Sequence, residues 1–378
     1  MWGTVCLLIA SCSSPMPPLP TTPPADRPRL RVALTVPLSG ELATYGEVVR
    51  NAAELAFDEW NKRQSDSGVF IQVVPQDTPC DAAGAQQVAE RIVASGILFI
   101  VGGICSEAAI PVARVANDSG ALFIATSATH PLVTVDAQGN TRRLVFRTAF
   151  AYPQQGHAVS RFLLQTLRLD HVLVVNNKLS PFSRDVTTAF YKSFATLGGD
   201  ALIVTGDPMQ QSFSDYLKSA MKPEIQAVYV PDRQSAVAQV QDVLRAQGIE
   251  KTIVGSDWWN VQELDLKALE GVYLLAHYSG DVVNPIVREW AARYRAAFAV
   301  EPDALAALAY DAATLLIQGI EQSGSTSPEV VAGALSSLDY KGVTGHWRFN
   351  AQHNPTKQAF FLRVQAGALQ FAGSASVE

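Results

Sequence analysis

Small polar residues follow four short apolar segments of this chain, at the points where each segment ends. These residues are Ser39 after VALTV, Ser106 after LFIVGGIC, Ser127 and Thr129 after LFIAT, and Asp257 after TIVGS. In a parallel α/β sheet, ligands bind in the crevice beyond the carboxyl ends of the strands. Hydroxyl groups and one carboxylate gathered there predict a binding site for a small zwitterion.

Ser106 and Thr129 are candidates to hold the carboxylate of such a ligand. A hydroxyl at a strand end usually opens the next helix, where free backbone N–H groups and the helix dipole favour an anion. Asp257 offers the opposite charge, and a charge-assisted hydrogen bond to an ammonium is stronger than a neutral one. The alternative is that Ser106 and Thr129 are N-caps and nothing more, and the sequence leaves both interpretations open.

The elements that must position these residues alternate along the chain. From Arg31 onward, apolar runs of four to eight residues alternate with amphipathic helical segments. This alternation predicts βαβ units and parallel sheets, and a length of 378 residues predicts two domains. Helices are predicted at about 106–118, 285–299 and 303–322, with Asp303 near the start of the last, and HWRFN is predicted as a late strand. No transmembrane span is predicted.

Charge and motifs argue against several classes of protein. The net charge is −6 and Lys and Arg form no run, so we expect no nucleic-acid partner and no electrostatic contact with a membrane surface. The sequence contains no GxSxG, HExxH, GxxxxGK[ST] or GxGxxG motif in a suitable context. Its six histidines lack metal-ligand spacing, and each is predicted to be a surface or capping residue. We therefore expect no enzyme, cofactor or metal, although a catalytic Cys105 with a distant His stays an alternative.

The N-terminus resembles an export signal. Residues 5–10 read VCLLIA, which is too short to span a bilayer, and the following IASC ending at Cys12 resembles a bacterial lipobox, in which the cysteine is acylated. Residues 1–11 are thus predicted to be a lipoprotein-type signal peptide, and the Pro-rich residues 12–28 an extended tether. A plain signal peptide or a disordered tail is the alternative, because no Lys or Arg precedes Arg27.

The remaining cysteines fit the same compartment. If Cys6 leaves with the signal and Cys12 takes lipid, only Cys80 and Cys105 remain. An even pair in an exported protein most often forms a disulfide. We predict that these two are bridged and that the bridge stabilises the fold by roughly 3 to 4 kcal/mol on the chain-entropy model.

Two long segments carry a family resemblance. VALTVPLSGELATYGEVVRNAAELAFDEWN and PCDAAGAQQVAERIVASGILFIVGGICSEAAIPVA resemble the opening strand, loop and helix and the disulfide-bearing βαβ unit of type I periplasmic binding proteins. Within that fold the chain resembles the leucine/isoleucine/valine receptors of ABC transporters, over about residues 30–370. The resemblance implies an α/β protein of two Rossmann-like lobes with parallel sheets, joined by a three-segment hinge. Lobe 1 would comprise 30–148 and 279–345, and lobe 2 would comprise 149–278 and 346–378.

The same resemblance implies a set of ligand contacts. It places the ligand carboxylate on Ser106 and Thr129, and the ammonium on Asp257 and the carbonyl near Ser127. The rest of the implied set is Tyr45, Tyr152, Phe182 and Arg233. Trp258 directly follows Asp257 and is a candidate wall of the pocket, with a place in the core as the alternative. Phe182 and Arg233 stand where the family usually has Tyr, and Tyr152 where many members carry Asp. A guanidinium of Arg233 that faced the cleft would favour a ligand side chain with a carboxylate, whereas one turned to solvent would leave an apolar pocket.

The function implied is capture and delivery. A receptor of this type would hold an amino acid or similar zwitterion between its lobes and deliver it to an ABC permease in the inner membrane. We expect a monomer in the periplasm or on the outer face of the cytoplasmic membrane, held there by the lipid on Cys12. A ligand sensor that signals to a partner protein is the alternative on the same fold.

Overall fold

Two separate sheets carry the main strands of this protein. The structure is a computed structural model that describes residues 27–64, 68–259 and 264–378. The predicted signal peptide, Cys12 and nearly all of the predicted tether lie outside the described residues.

The first lobe is built on a five-stranded parallel sheet in the order β2-β1-β3-β4-β5. Its strands are β1 (Arg29–Val36), β2 (Phe70–Asp77), β3 (Phe99–Gly102), β4 (Leu122–Ala125) and β5 (Val145–Arg147). Its helices are α1 (Ala43–Arg63), α2 (Ala82–Ala94), α3 (Ser106–Asp118), α8 (Pro285–Phe298), α9 (Ala304–Ser323) and α10 (Pro328–Ser337). A two-stranded ribbon of β11 (Tyr340–Gly342) and β12 (Gly345–Trp347) packs into the same core. Apolar residues thus cover both faces of the sheet, with Phe57 and Trp290 on one side and Val112 on the other.

The second lobe is built on a seven-stranded sheet in the order β14-β13-β10-β9-β8-β6-β7. Its parallel strands are β6 (His171–Asn177), β7 (Asp200–Gly206), β8 (Ala227–Val230), β9 (Thr252–Gly255) and β10 (Tyr273–Ala276). The antiparallel hairpin β13 (Gln358–Gln365) and β14 (Ala368–Ser376) completes it. Its helices are α4 (Tyr152–Arg161), which continues as a π-helical turn over Phe162–Leu167, α5 (Pro181–Thr196), α6 (Gln211–Ala220) and α7 (Gln234–Ala246).

The described chain passes between the lobes at three places. It crosses between β5 and α4, between β10 and α8, and between β12 and β13. The predicted α/β fold of two lobes with parallel sheets is therefore confirmed. The residue boundaries given to the lobes above stay a prediction.

The local predictions hold where the sequence signal is strong. Helix α3 spans the predicted range, and α9 begins after Asp303, whose carboxylate accepts a hydrogen bond from Ala306 N at 2.8 Å. Helix α10 and strand β14 were not predicted, and the predicted strand HWRFN is reduced to Gly345–Trp347. Among the described residues, α9 alone is long and apolar enough to cross a membrane, and 67% of its most apolar window is buried inside the protein.

Gly102 shapes the turn that leads into the site. It ends β3 with φ +136, and a Cβ there would lie 2.2 Å from Thr35 O. Only glycine fits this backbone and this approach of the neighbouring strand. A few residues later Cys105 is bonded to Cys80, with a Cα–Cα distance of 5.5 Å, so the predicted disulfide is confirmed. The turn and the bridge together fix the start of α3.

Candidate ligand-binding site

Three hydroxyl groups meet where the two lobes face each other. Ser106 is the first residue of α3, and Thr129 follows β4 and is 8% exposed. Both hydroxyls share hydrogen bonds with the phenol of Tyr152, the first residue of α4 in the second lobe. Burial raises the pKa of Tyr152 to about 12, against the effect of these two hydrogen bonds, so the phenol is neutral. The cluster offers hydroxyl donors from both lobes.

Neither Ser106 nor Thr129 is an N-cap. Cys105 occupies the cap position of α3, and His130 caps the short 3₁₀ helix Pro131–Val133 by accepting from Leu132 N. The Ser106 hydroxyl oxygen instead accepts a hydrogen bond from His130 N at 3.2 Å. The interpretation of the two residues as simple caps is therefore wrong.

Arg147 holds the loop that carries Ser127 and Thr129. Its guanidinium, fully buried at the end of β5, donates to the carbonyls of Ala128 (3.2 Å), His130 (3.0 Å) and Pro131 (3.2 Å) and to Thr134 Oγ1 (2.9 Å). Burial lowers the pKa of Arg147 to about 9, which still leaves it charged at neutral pH. This role of Arg147 was missed in the sequence analysis, because nothing local shows that its partners lie 13 to 19 residues earlier.

Asp257 lies just beyond β9 and is held on one oxygen. Its Oδ2 accepts hydrogen bonds from Gln155 Nε2 at 3.0 Å and from His277 Nε2 at 2.9 Å. The side chains of His277 and Asp257 are only 5% and 7% exposed. The prediction that every histidine is a surface or capping residue is therefore wrong for His277, and Gln155 was missed altogether.

Burial sets the protonation of His277. It lowers the pKa of the imidazole to about 4, although the hydrogen bond to Asp257 acts in the opposite direction. The ring is therefore neutral at pH 7 and carries its proton on Nε2, since a carboxylate can only accept. The ring of Phe150 packs against it at an interplanar angle of 30°, with centroids 3.7 Å apart.

The first turn of α4 joins the two polar clusters. Tyr152 reaches the hydroxyls of Ser106 and Thr129, and Gln155, one turn further along, reaches Asp257. Groups suited to a carboxylate and a group suited to an ammonium are thus positioned by one rigid element.

A row of rings runs from this turn toward solvent. Tyr152 packs edge-on against Phe182 (centroids 5.3 Å apart), and Phe182 packs edge-on against Trp258 (5.1 Å). The exposed guanidinium of Arg233 lies over the Trp258 ring, 4.8 Å from its centroid. Arg233 therefore closes the outer end of an aromatic wall.

Three further residues named from the sequence are Tyr45, Ser127 and Ser39. Tyr45 is half-buried in the first turn of α1, and the Ser127 hydroxyl oxygen is buried with no hydrogen-bond partner within the described residues. Ser39 Oγ donates to Asp77 Oδ2 at 2.6 Å, which ties the loop after β1 to the end of β2. This hydroxyl therefore stabilises the loop after β1. Among residues 27–64, 68–259 and 264–378, no three His, Cys, Asp or Glu side chains come together as a metal site would require.

The fold and the sequence together identify the family of this protein. The sequence pattern of the periplasmic binding protein family matches residues 29–368. The chain therefore belongs to the periplasmic binding protein family, and the resemblance found in the sequence is confirmed.

The relatives within the family have amino-acid ligands in their names. The chain is 26% identical to a leucine-, isoleucine-, valine-, threonine- and alanine-binding protein of Pseudomonas aeruginosa, over 85% of this chain and 86% of the relative. It is 28% identical to the Leu/Ile/Val-binding protein BraC3 of Rhizobium johnstonii, over 90% and 93% of the two chains. Among solved structures, the branched-chain amino acid transporter substrate-binding protein LivJ of Streptococcus pneumoniae, in complex with isoleucine, superposes with a TM-score of 0.78 at 25% identity, covering 92% of this chain and 99% of that one.

Proposed function

We propose that this protein is an extracytoplasmic receptor that captures an amino acid between its lobes and delivers it to an ABC permease. The observation that carries the proposal is the first turn of α4, which joins a hydroxyl cluster to the buried carboxylate of Asp257. The names of the relatives, most of them binding proteins for leucine, isoleucine and valine, support the same ligand class.

The ligand carboxylate would lie on the hydroxyls of Ser106, Thr129 and Tyr152. The ammonium would lie on Asp257 and on a carbonyl near Ser127. Both hydrogen bonds that Asp257 accepts from Gln155 and His277 end on Oδ2, so Oδ1 is the oxygen that would accept from the ammonium. Such a ligand bridges elements of both lobes, and its binding would favour the closed arrangement.

The ligand side chain would meet an apolar wall. Phe182 and Trp258 supply its rings, and Tyr45 would approach from the first lobe. The guanidinium of Arg233 is exposed and already stacked on Trp258, so we infer that it covers the pocket from the solvent side. This arrangement supports the apolar branch of the two that the sequence left open.

A thermal-shift screen against amino acids, followed by calorimetry, tests the proposal. A ligand at a hundred times its Kd stabilises the native state by about 2.7 kcal/mol. With the best ligand, Asp257→Asn should weaken binding by about 30-fold or more, because it leaves a buried ammonium without its counter-charge. Asp265→Asn, which changes an exposed aspartate elsewhere in the second lobe, is the control. Full affinity of Asp257→Asn would refute the ammonium role.

We also propose that the protein acts as a monomer on the outer face of the cytoplasmic membrane, anchored by lipid on Cys12. The IASC sequence and the Pro-rich stretch that follows support the lipid anchor. Cys12→Ser should move the protein from the membrane fraction to the soluble periplasm. An unchanged distribution would refute the anchor.

A further inference from the structure

The carboxylate of Asp257 is fixed by groups from two of the three crossings between the lobes. His277 follows β10, where the second crossing begins, and Gln155 lies in α4, directly after the first. Phe150, within the first crossing, packs its ring against the imidazole. The imidazole therefore contacts an aromatic ring and donates to a carboxylate from Nε2.

In the hydrogen bond between His277 and Asp257, His277 is the donor. The buried neutral imidazole donates from Nε2 to Asp257 Oδ2, while its Nδ1 is buried and has no hydrogen-bond partner among the residues that the structure describes. Two other titratable groups act on this pair: Lys357, on the segment before β13, and Tyr229 on β8. The oxygen that His277 and Gln155 hold cannot rotate away without the loss of two hydrogen bonds.

We propose that His277 is a positioning residue for ligand recognition. By donating to Oδ2 of Asp257, it orients the other carboxylate oxygen, Oδ1, toward the ligand ammonium, and so sets the preference of the site for an amino acid over the matching 2-hydroxy acid. This inference rests on the proposed function, because it assigns to Asp257 the role of ammonium partner.

A matched pair of variants separates the donor from the packing. In His277→Gln the side-chain amide nitrogen stands about where Nε2 stands, so the donor is kept. In His277→Met a side chain of similar length lacks it. A hydrogen bond to a charged group is lost only in the second, so we expect amino-acid affinity to fall about ten- to a hundredfold in His277→Met. His277→Gln should stay within a few-fold of the wild type.

The ratio of the affinities for two ligands distinguishes a positioning role of His277 from a purely structural one. The amino acid that binds best and its 2-hydroxy analogue are titrated against each protein, the weaker ligand by competition. If His277 positions Asp257, His277→Met lowers the preference for the amino acid at least tenfold, with the hydroxy acid little affected. If His277 only fills the core, both ligands lose affinity equally and the inference is wrong.

Three further outcomes are distinct. Equal losses in His277→Gln and His277→Met would also overturn the inference. If His277→Met fails to fold, Gln155→Met removes the other donor on the same oxygen, and an unchanged ligand preference in that variant would contradict the positioning of Oδ2. A wild-type protein that binds no amino acid would refute the proposed function itself, and that result is seen before any variant is made.

Discussion

Nε2 of His130 lies 3.8 Å from Oδ2 of Asp185, and the two side chains come from different lobes. His130 is on the loop after β4, and Asp185 is in α5. Leu132 N donates to His130 Nδ1 at 3.1 Å, so the neutral ring carries its proton on Nε2, facing Asp185. Burial lowers the pKa of His130, although the charge of Asp185 acts against this. The contact therefore becomes an ion pair only when the solution is acidified.

The first prediction concerns this contact between the lobes. Asp185→Asn should leave ligand affinity nearly unchanged at pH 7.5, because His130 is neutral there. At an acidic pH, where His130 has taken up its proton, the same variant should bind about two- to fivefold more weakly than the wild type, the range expected for a partly exposed pair. Calorimetry at both pH values measures the difference. His130→Gln should abolish the pH dependence, and an equal loss at both pH values in Asp185→Asn would count against an ion pair.

The second prediction concerns the hydroxyl of Tyr152. Tyr152→Phe should weaken binding of the best amino acid by roughly tenfold or more, because a hydrogen bond to a charged group contributes about 1.5 to 3 kcal/mol. Tyr216→Phe, an exposed tyrosine in α6, is the control. Tighter binding in Tyr152→Phe would mean instead that this phenol competes with the ligand carboxylate for the hydroxyls of Ser106 and Thr129.

The sequence predicted best what depends on neighbours along the chain. Helix α3 follows from an apolar strand, a glycine turn and an amphipathic segment, and the position of Ser106 follows with it. Helix α10 was missed because its ten residues are few and include Gly333. Strand β14 was missed because it contains glycine and serine, and its formation depends on pairing with β13.

The surroundings of the site residues could not be predicted in the same way. Gln155 is 102 residues from Asp257 in the chain, and His277 is 20 residues from it. A single histidine in an apolar segment does not show whether the folded protein places a carboxylate beside it. Likewise, nothing near Ser39 in the sequence shows that its hydroxyl donates a hydrogen bond to Asp77, at the end of another strand. Residue types at strand ends predict where a site lies, but the fold decides which of them are already used.

The third prediction concerns Arg147, which holds the loop that carries Ser127 and Thr129. Arg147→Lys should lower the melting temperature and weaken ligand binding, because an ammonium cannot replace the planar fork that holds three carbonyls of the loop. We expect a loss of about 2 to 4 kcal/mol in the free energy of unfolding, since buried acceptors are left unpaired. Arg143→Lys, at an exposed position four residues before the end of β5, should change neither quantity. If the two variants behave alike, the loop does not depend on the guanidinium.

Lys357 lies between β12 and β13, where the chain crosses the lobes for the third time. It is 2% exposed, and within the described residues its Nζ has no hydrogen-bond partner. Its ammonium faces the rings of Phe150, at 5.8 Å, and Trp347, at 6.0 Å. Burial lowers the pKa of Lys357 to about 7, although the charge of Asp311 acts in the opposite direction. Holding this charge inside the hinge therefore costs stability.

The last prediction concerns how the cost of the buried Lys357 charge changes with pH. Between about pH 7 and the usual lysine pKa near 10.4, the unfolded chain binds a proton that the folded protein does not, so the free energy of unfolding rises with pH. Lys357→Met carries no such group, and should be more stable than the wild type by about 4 kcal/mol at pH 6, with an advantage that shrinks as the pH approaches 10. Urea unfolding at pH 6, 8 and 10 measures this difference, with the exposed Lys341→Met as control. A difference that is constant across pH, or a variant less stable at pH 6, would show that the lysine is accommodated in its charged form.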